Sequence, residues 1–107
     1  GLVLGKLGAN FSLNQGYDAA RLCGLALIAQ LKSACGGNWA LFKKVVRLGG
    51  FVNCTDDFKD HPKVINGASD LMVEVFGDKG MHARAAVGSS SLPLGVAVEV
   101  DGIFELN

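Results

Sequence analysis

The pattern of apolar and polar positions predicts two helices that alternate with strands. The first helix begins after Ser12, where Ser12-Leu-Asn-Gln15 has the pattern of a capping box, and it ends near Ala34 at the pair Gly36-Gly37. Small and apolar residues recur along it at helical spacing and would let it lie close to a sheet. This stripe consists of Ala20, Gly24, Leu27, Leu31 and Ala34.

A second helix is predicted between Pro62 and Gly77, because proline suits the first turn of a helix and glycine suits its end. Asp60 is its candidate N-cap. The apolar positions of this segment follow the spacing of one helix face. They are Val64, Ala68, Leu71, Met72 and Val75.

Strand patterns occupy much of the rest of the chain. Residues 2–11 predict a short, glycine-rich strand, and residues 42–54 predict a long strand with apolar side chains on both faces. Gly49-Gly50 marks a bulge or a close approach of backbones. We expect Val46, Leu48, Val52 and Cys54 on one face, with Val45 and Phe51 on the other.

The C-terminal third predicts two strands around a turn-forming loop that contains Pro93. If these strands form a symmetric hairpin, Arg84 lies opposite Asp101 and Ala86 lies opposite Glu99. Arg84, Glu99 and Asp101 would then project from one sheet face, whereas a one-residue shift would send the two acids to the other. The resulting βαβαββ order indicates an α+β fold with two helices on one face of a mixed sheet.

Composition narrows the class of protein. The chain has 107 residues, half of them hydrophobic, and zero net charge, so it predicts one folded domain and no nucleic-acid partner. An apolar second sheet face and a mean hydropathy of +0.33 favour self-association.

No stretch is long enough to cross a membrane. Three cysteines without CxxC spacing indicate reduced thiols, and His61 and His82 lack metal-site spacing, so we expect no metal.

Several segments carry a family resemblance. Residues 83–87 (Ala-Arg-Ala-Ala-Val), Leu92-Pro93 and residues 98–100 (Val-Glu-Val) resemble the C-terminal signature of the Rid (YjgF-like) family, the reactive intermediate deaminases. Residues 45–53 are similar to a strand of that family, and residues 63–71 to the helix start that follows it. The resemblance covers most of the chain.

The resemblance implies a chorismate mutase-like fold and a homotrimer with ligand clefts between subunits. The implied reaction is hydrolysis of reactive enamines or imines, such as 2-aminoacrylate, to 2-keto acids and ammonia, as in 2-iminobutanoate/2-iminopropanoate deaminases, without a cofactor. Arg84 matches the arginine that holds the substrate carboxylate, Glu99 the glutamate that positions water, and Asn66 an asparagine near the cleft. Spacing alone instead favours an ion pair of Arg84 with Asp101 or Glu99.

The chain also departs from the family pattern. Residues 1–107 form a single Rid-like domain in which we find no counterpart of the family's N-terminal β-hairpin, and Ala86 stands where a cysteine is common. Two alternatives remain: a non-catalytic trimeric module that binds small carboxylates, and an endoribonuclease or translation inhibitor, which the zero net charge disfavours. We expect a cytoplasmic protein, or a mitochondrial one if a targeting segment precedes Gly1.

Overall fold

The computed structural model describes residues 2–107 and confirms the α+β fold: two helices pack on one face of a three-stranded mixed sheet. Short 3-10 helices lie before the first strand, after the second helix and before the last strand. The main elements are α1 (Leu13–Ala34), β1 (Phe42–Asn53), α2 (His61–Phe76), β2 (Ala83–Ser89) and β3 (Val98–Leu106).

The strand order is β2-β1-β3, so the predicted hairpin between the last two strands is wrong. β1 lies between them, parallel to β2 and antiparallel to β3. Leu48 on β1 pairs with Arg84 on one side and with Gly102 on the other. A strand with apolar residues on both faces belongs at the centre of a sheet, and β1 takes that position.

A register shift in β1 moves two side chains to faces other than those predicted. It lies between Val45 and Arg47, with the result that Val45 is buried under the helices while Val46 is 38% exposed on the other face. The glycine pair forms no bulge but does permit close approach. A Cβ on Gly50 would lie 2.5 Å from side-chain carbons of Ile65.

Both helices begin where the sequence predicts. The Ser12 hydroxyl accepts a hydrogen bond from the Gln15 backbone N–H at 3.1 Å, and the Gln15 side chain accepts one from the Ser12 N–H at 2.8 Å, which completes the capping box. Asp60 occupies the N-cap of α2 without a side-chain capping bond, and Gly77 ends the helix at φ 61°. Val75 is half exposed, which corrects its assignment to the buried stripe.

Small residues bring α1 and α2 together over the sheet. A Cβ on Gly24 would lie 2.9 Å from Leu71, and Gly67 faces the backbone of Tyr17 with no room for a side chain. Ala34, predicted on the apolar stripe, is exposed at the end of α1. The largest fully buried side chains are Leu7, Cys35, Val45, Leu48, Val52, Val64, Ile65 and Met72.

Residues 2–11 do not form the predicted strand. They make isolated bridges, antiparallel from Leu4 to Val96 and parallel from Leu7 to Cys54 and to Phe11. One buried polar side chain, Asn53, fastens this segment to the sheet. Its amide donates to the carbonyl of Val96 at 3.1 Å and accepts from the Lys6 ammonium at 3.0 Å.

No helix within residues 2–107 covers the second face of the sheet, which we call the open face. It presents four apolar side chains that are 37–57% exposed. These are Val46, Phe51, Val87 and Ile103. Within residues 2–107, no helix has both the length and the apolar character needed to cross a bilayer.

Candidate functional site

Arg84 lies on β2, at the edge of the sheet, and its side chain turns toward α2. Its register partner Leu48 is fully buried beneath the helices, so Arg84 projects from that same face. Nη1 donates a hydrogen bond to the Ser69 hydroxyl at 3.1 Å, and Nη2 donates to the carbonyl of Pro62 at 3.4 Å. Two residues of α2, Pro62 and Ser69, therefore fix the orientation of the guanidinium.

His82 holds Ser69 in place for this interaction. Its Nδ1 lies 2.6 Å from the carbonyl oxygen of Gly80, which can only accept, so this nitrogen carries the proton. In the neutral ring, Nε2 then accepts from the Ser69 hydroxyl, 2.9 Å away. Ser69 thus donates to the imidazole and accepts from Arg84, and its one hydroxyl orients both side chains.

Arg84 has no acidic partner among the described residues. The ion pair with Asp101 or Glu99 that spacing alone favours does not form. Because no carboxylate forms an ion pair with this half-buried arginine, its remaining N–H groups are free to bind one through two parallel hydrogen bonds.

A shallow cavity of about 250 Å³ opens over this arginine. Arg84 and Asn66, both predicted from the sequence, line it together. Ser69 and His82 also line it, and neither is predicted from the sequence. Local spacing gives only a weak signal for them: Ser69 follows Asn66 by about one helical turn, and His82 lies two residues before Arg84, just outside β2. The remaining lining residues are Asp70, Val73 and Met81.

Asp70 is the acidic residue of this cavity, and Tyr17 of α1 engages it. The Tyr17 hydroxyl donates to the Asp70 carboxylate at 2.8 Å. This hydrogen bond, with a smaller contribution from burial, raises the pKa of Tyr17. The bond occupies part of the carboxylate and ties α1 to the rim of the Arg84 cavity.

Glu99 lies on the other side of the sheet. It pairs with the exposed Phe51, while Asp101 pairs with Gly49, so both acids project from the open face. The expectation that they share a face with Arg84 is wrong, because it assumed a hairpin that β1 interrupts.

The surroundings of Glu99 are mainly apolar. It lines a cavity of about 450 Å³ along the edge of β3, together with residues of α1 and the loop before β3. Burial, and to a lesser extent the charge of Glu99, raises the pKa of the Cys23 thiol in this cavity. A single chain therefore holds the proposed anion-binding and water-handling residues in two separate places.

The residues around Arg84 form a candidate site for a small anion. Arg84 can hold a carboxylate, Asn66 can bond to a neighbouring polar group, and the Ser69–His82 pair keeps the guanidinium oriented. Within residues 2–107, no three side chains of the metal-binding types lie close enough together to hold an ion.

Comparison with known proteins adds a family match. Residues 1–106 match the family model described as "YjgF/chorismate_mutase-like, putative endoribonuclease". Protein TCP17 of Trypanosoma cruzi is 46% identical over 108 residues, an alignment that covers 100% of this chain and 67% of that protein.

Two solved structures have the same fold. The protein Atu1372 from Agrobacterium tumefaciens, described as of unknown function, superposes with a TM-score of 0.95 at 41% identity, over 98% of this chain and 67% of its own. A "putative endoribonuclease" from Shewanella oneidensis gives a TM-score of 0.92 at 41% identity, over 98% and 69%. The chain thus spans about two thirds of the length of these relatives.

Proposed function

The chain belongs to the YjgF/chorismate mutase-like family, and from this membership and the Arg84 cavity we propose that it hydrolyses reactive enamines or imines of 2-amino acids. The products are 2-keto acids and ammonia. Arg84 holds the substrate carboxylate, Asn66 hydrogen-bonds to a polar group of the substrate, and Glu99 positions the attacking water.

One observation carries this proposal: the half-buried guanidinium of Arg84 faces a cavity without a carboxylate partner of its own. Desolvating a cation is unfavourable unless an anion or several acceptors compensate it. Ser69 and Pro62 supply two acceptors. The donors left over fit the planar carboxylate that every 2-imino acid carries.

The reaction requires little of the protein. An enamine takes a proton on carbon to become an imine, water adds to the imine carbon, and the C–N bond then breaks to release ammonia. Because the protonated imine is already electrophilic, the site has only to bind the carboxylate and present a water molecule. Every step balances with water as the one co-reactant.

Arg84 and Glu99 lie on opposite faces of the sheet, so a site that uses both would need a second copy of the chain. β2 is an edge strand and the open face presents exposed apolar side chains beside Glu99 and Asp101, so two copies can meet with the Arg84 cavity of one beside the open face of the other. We therefore propose that each site combines Arg84 from one copy with Glu99 from its neighbour in a homotrimer.

Substitution of Arg84 tests the proposal. An amino-acid oxidase generates the imino acid in the assay, and its disappearance is followed with and without the protein. Arg84→Ala is expected to abolish both carboxylate binding and turnover, and Arg84→Lys to recover little, because a point charge replaces a planar fork. Arg21→Ala removes an arginine from the exposed pair with Glu74 and is expected to retain full activity.

Substitution of Glu99 separates binding from catalysis. Glu99→Gln is expected to keep keto-acid binding while turnover falls about 100-fold, the size of a typical general-base contribution. Glu105→Gln is the matched control, since it lies on the same strand and pairs with Lys43 at 3.2 Å. Wild-type clearance by a folded Arg84→Ala protein would contradict the proposal.

The same assay decides between the alternatives. If the wild type binds keto acids but does not accelerate imine loss, the protein is a binding module for small carboxylates. The family model and the Shewanella oneidensis protein are described as a "putative endoribonuclease", so cleavage of single-stranded RNA is measured in parallel. The 10 Lys and Arg are balanced by 10 Asp and Glu, so no excess of positive charge favours phosphate binding, and we expect no cleavage.

A further inference from the structure

A cysteine and a histidine form a close pair at the end of β1, outside the Arg84 cavity. Cys54 directly follows β1, and His61 is the first residue of α2. Their Sγ and Nε2 atoms are 3.3 Å apart. A thiol within hydrogen-bonding reach of an imidazole is the arrangement that activates a nucleophilic cysteine, because the ring can take the thiol proton.

The backbone around this pair is built to accommodate it. A Cβ on Gly88 of β2 would lie 2.6 Å from Nε2 of His61 and 2.8 Å from Sγ of Cys54, so a side chain there would displace both groups. The Cys54 N–H donates to the carbonyl of Ser89 at 3.0 Å and fixes the residue between the ends of two strands. Phe58 packs edge-on against the His61 ring, with centroids 5.3 Å apart.

The pair opens onto a cavity of its own, about 200 Å³ in volume. Cys54 is only 6% exposed, so a reagent must be small to reach it. The acidic side chain of Asp56 also lines this cavity, which disfavours anionic reagents. The Lys6 ammonium, 3.5 Å from the Cys54 carbonyl oxygen, adds positive charge on the backbone side of the thiol.

The other two cysteines lack such surroundings. Cys35 is buried, and the Cys23 thiol donates a hydrogen bond to the backbone carbonyl of Val98 at 3.7 Å. Burial raises the pKa of Cys23, which lowers the fraction present as thiolate. Cys23 is nevertheless more exposed than Cys54. Accessibility and chemical activation therefore predict opposite orders of reaction for these two thiols.

We propose that Cys54 and His61 form a second reactive site, which takes small uncharged hydroperoxides. His61 accepts the thiol proton, and the thiolate attacks the nearer peroxide oxygen. The O–O bond breaks as the S–O bond forms, and the leaving oxygen takes the proton back from the imidazolium. With hydrogen peroxide the products are a cysteine sulfenic acid and water. A low-molecular-weight thiol can then displace water from sulfur to give a mixed disulfide.

This site is distinct from the Arg84 cavity. Gly88 and Arg84 lie four residues apart on β2, about 13 Å along the strand. The first turn of α2 touches both sites, since Pro62 accepts from Arg84 and His61 faces Cys54. Loss of imine hydrolysis in Arg84→Ala would leave the thiol chemistry unaffected, so the two proposals fail independently.

Site-by-site measurement of sulfenic acid tests the inference. The wild-type protein is treated with hydrogen peroxide, a cyclic 1,3-dicarbonyl reagent traps the sulfenic acid, and peptide mass spectrometry gives the labelling rate of each cysteine. We expect Cys54 to be labelled at least about tenfold faster than Cys23, despite its lower exposure. Labelling of Cys23 at an equal or greater rate would overturn the proposal, and this comparison requires no variant.

A substitution identifies the role of the imidazole. His61→Gln is expected to slow Cys54 labelling about tenfold while the rate at Cys23 stays unchanged. Cys23 thus serves as an internal control for folding and reagent concentration. An unchanged ratio of the two rates in a folded His61→Gln protein would show that His61 does not activate the thiol and would overturn the dyad. Cys54→Ser should lose the Cys54 label and keep the others.

Discussion

Gly67 lies where the backbones of α1 and α2 come close together. Its Cα faces the carbonyl of Tyr17 and the amide of Arg21, and a Cβ would overlap backbone atoms that cannot move aside like a flexible side chain. Asn66 and Ser69, which line the Arg84 cavity, lie on the same helix within two residues of it. The distance between α1 and α2 therefore affects where Asn66 and Ser69 lie in the Arg84 cavity.

Replacement of this glycine gives a prediction at the residue scale. In an exposed helix, Gly→Ala stabilises by about 1 kcal/mol. Gly67→Ala is expected to destabilise the protein instead, by about 1–3 kcal/mol, because the helices must separate. Chemical denaturation measures the free energy of unfolding. A variant as stable as the wild type would contradict the close approach of the two backbones.

Only some of the site residues could be predicted from the sequence. Arg84 stands out because an arginine in an apolar strand needs an anion, and Asn66 followed from the family resemblance; both line one cavity. Ser69 and His82 were missed because their contact depends on how α2 lies against β2, which local spacing does not determine. Glu99 was placed on the wrong face because its position depends on long-range strand pairing.

At the scale of elements, the hydrogen bond between Tyr17 and Asp70 links the two helices at the rim of the Arg84 cavity. It raises the pKa of Tyr17 above the usual value of 10.0, so the phenol keeps its proton to higher pH in the folded protein. The stabilisation from this contact is complete below pH 10.0 and is lost as pH rises through the raised pKa.

Titration of this phenol gives a direct prediction, since Tyr17 is the chain's only tyrosine. The ultraviolet absorbance of tyrosinate is expected to show a midpoint above 10.0 in the wild type and a lower one in Asp70→Ala. Asp18→Asn changes a neighbouring charge that does not bond to the phenol and should leave the midpoint in place. Equal midpoints in wild type and Asp70→Ala would contradict the contact.

The helices could be predicted from the sequence almost to the residue, whereas the sheet could not. Local signals such as the Ser12–Gln15 box and Gly77 determine where the helices start and end. Strand order depends on which distant segments pair, and neighbours in sequence are not always neighbours in a sheet. The bulge between Val45 and Arg47 reverses the faces of two side chains without a signal in the pattern.

At the scale of the whole molecule, the two faces of the sheet differ. The helices cover one, while the other presents apolar side chains to solvent, up to 57% exposed at Ile103. Such a surface is typical of a face that meets another chain. We propose that copies of this chain cover it, which would also bring Glu99 of one copy toward Arg84 of another.

A charge on the open face tests this assembly. Light scattering of the wild type is expected to give about three chain masses, the smallest closed ring in which each copy contacts two others. Ile103→Asp is expected to shift the protein toward the monomer while its circular dichroism stays unchanged. Val75→Asp, at a half-exposed position of α2, should leave the assembly intact. A monomeric wild type would contradict the proposed assembly.

Hybrid trimers provide the most direct test of the central claim that one site takes Arg84 and Glu99 from different copies. Arg84→Ala and Glu99→Gln chains carrying different tags are co-expressed, and trimers that contain both are isolated by sequential affinity steps. Every such hybrid would hold an intact site at one of its three interfaces. Imine clearance is therefore expected to recover to about one third of the wild-type rate, although the Arg84→Ala parent is inactive and the Glu99→Gln parent retains only about one hundredth of the turnover. Hybrids no more active than the two parents would contradict a shared site.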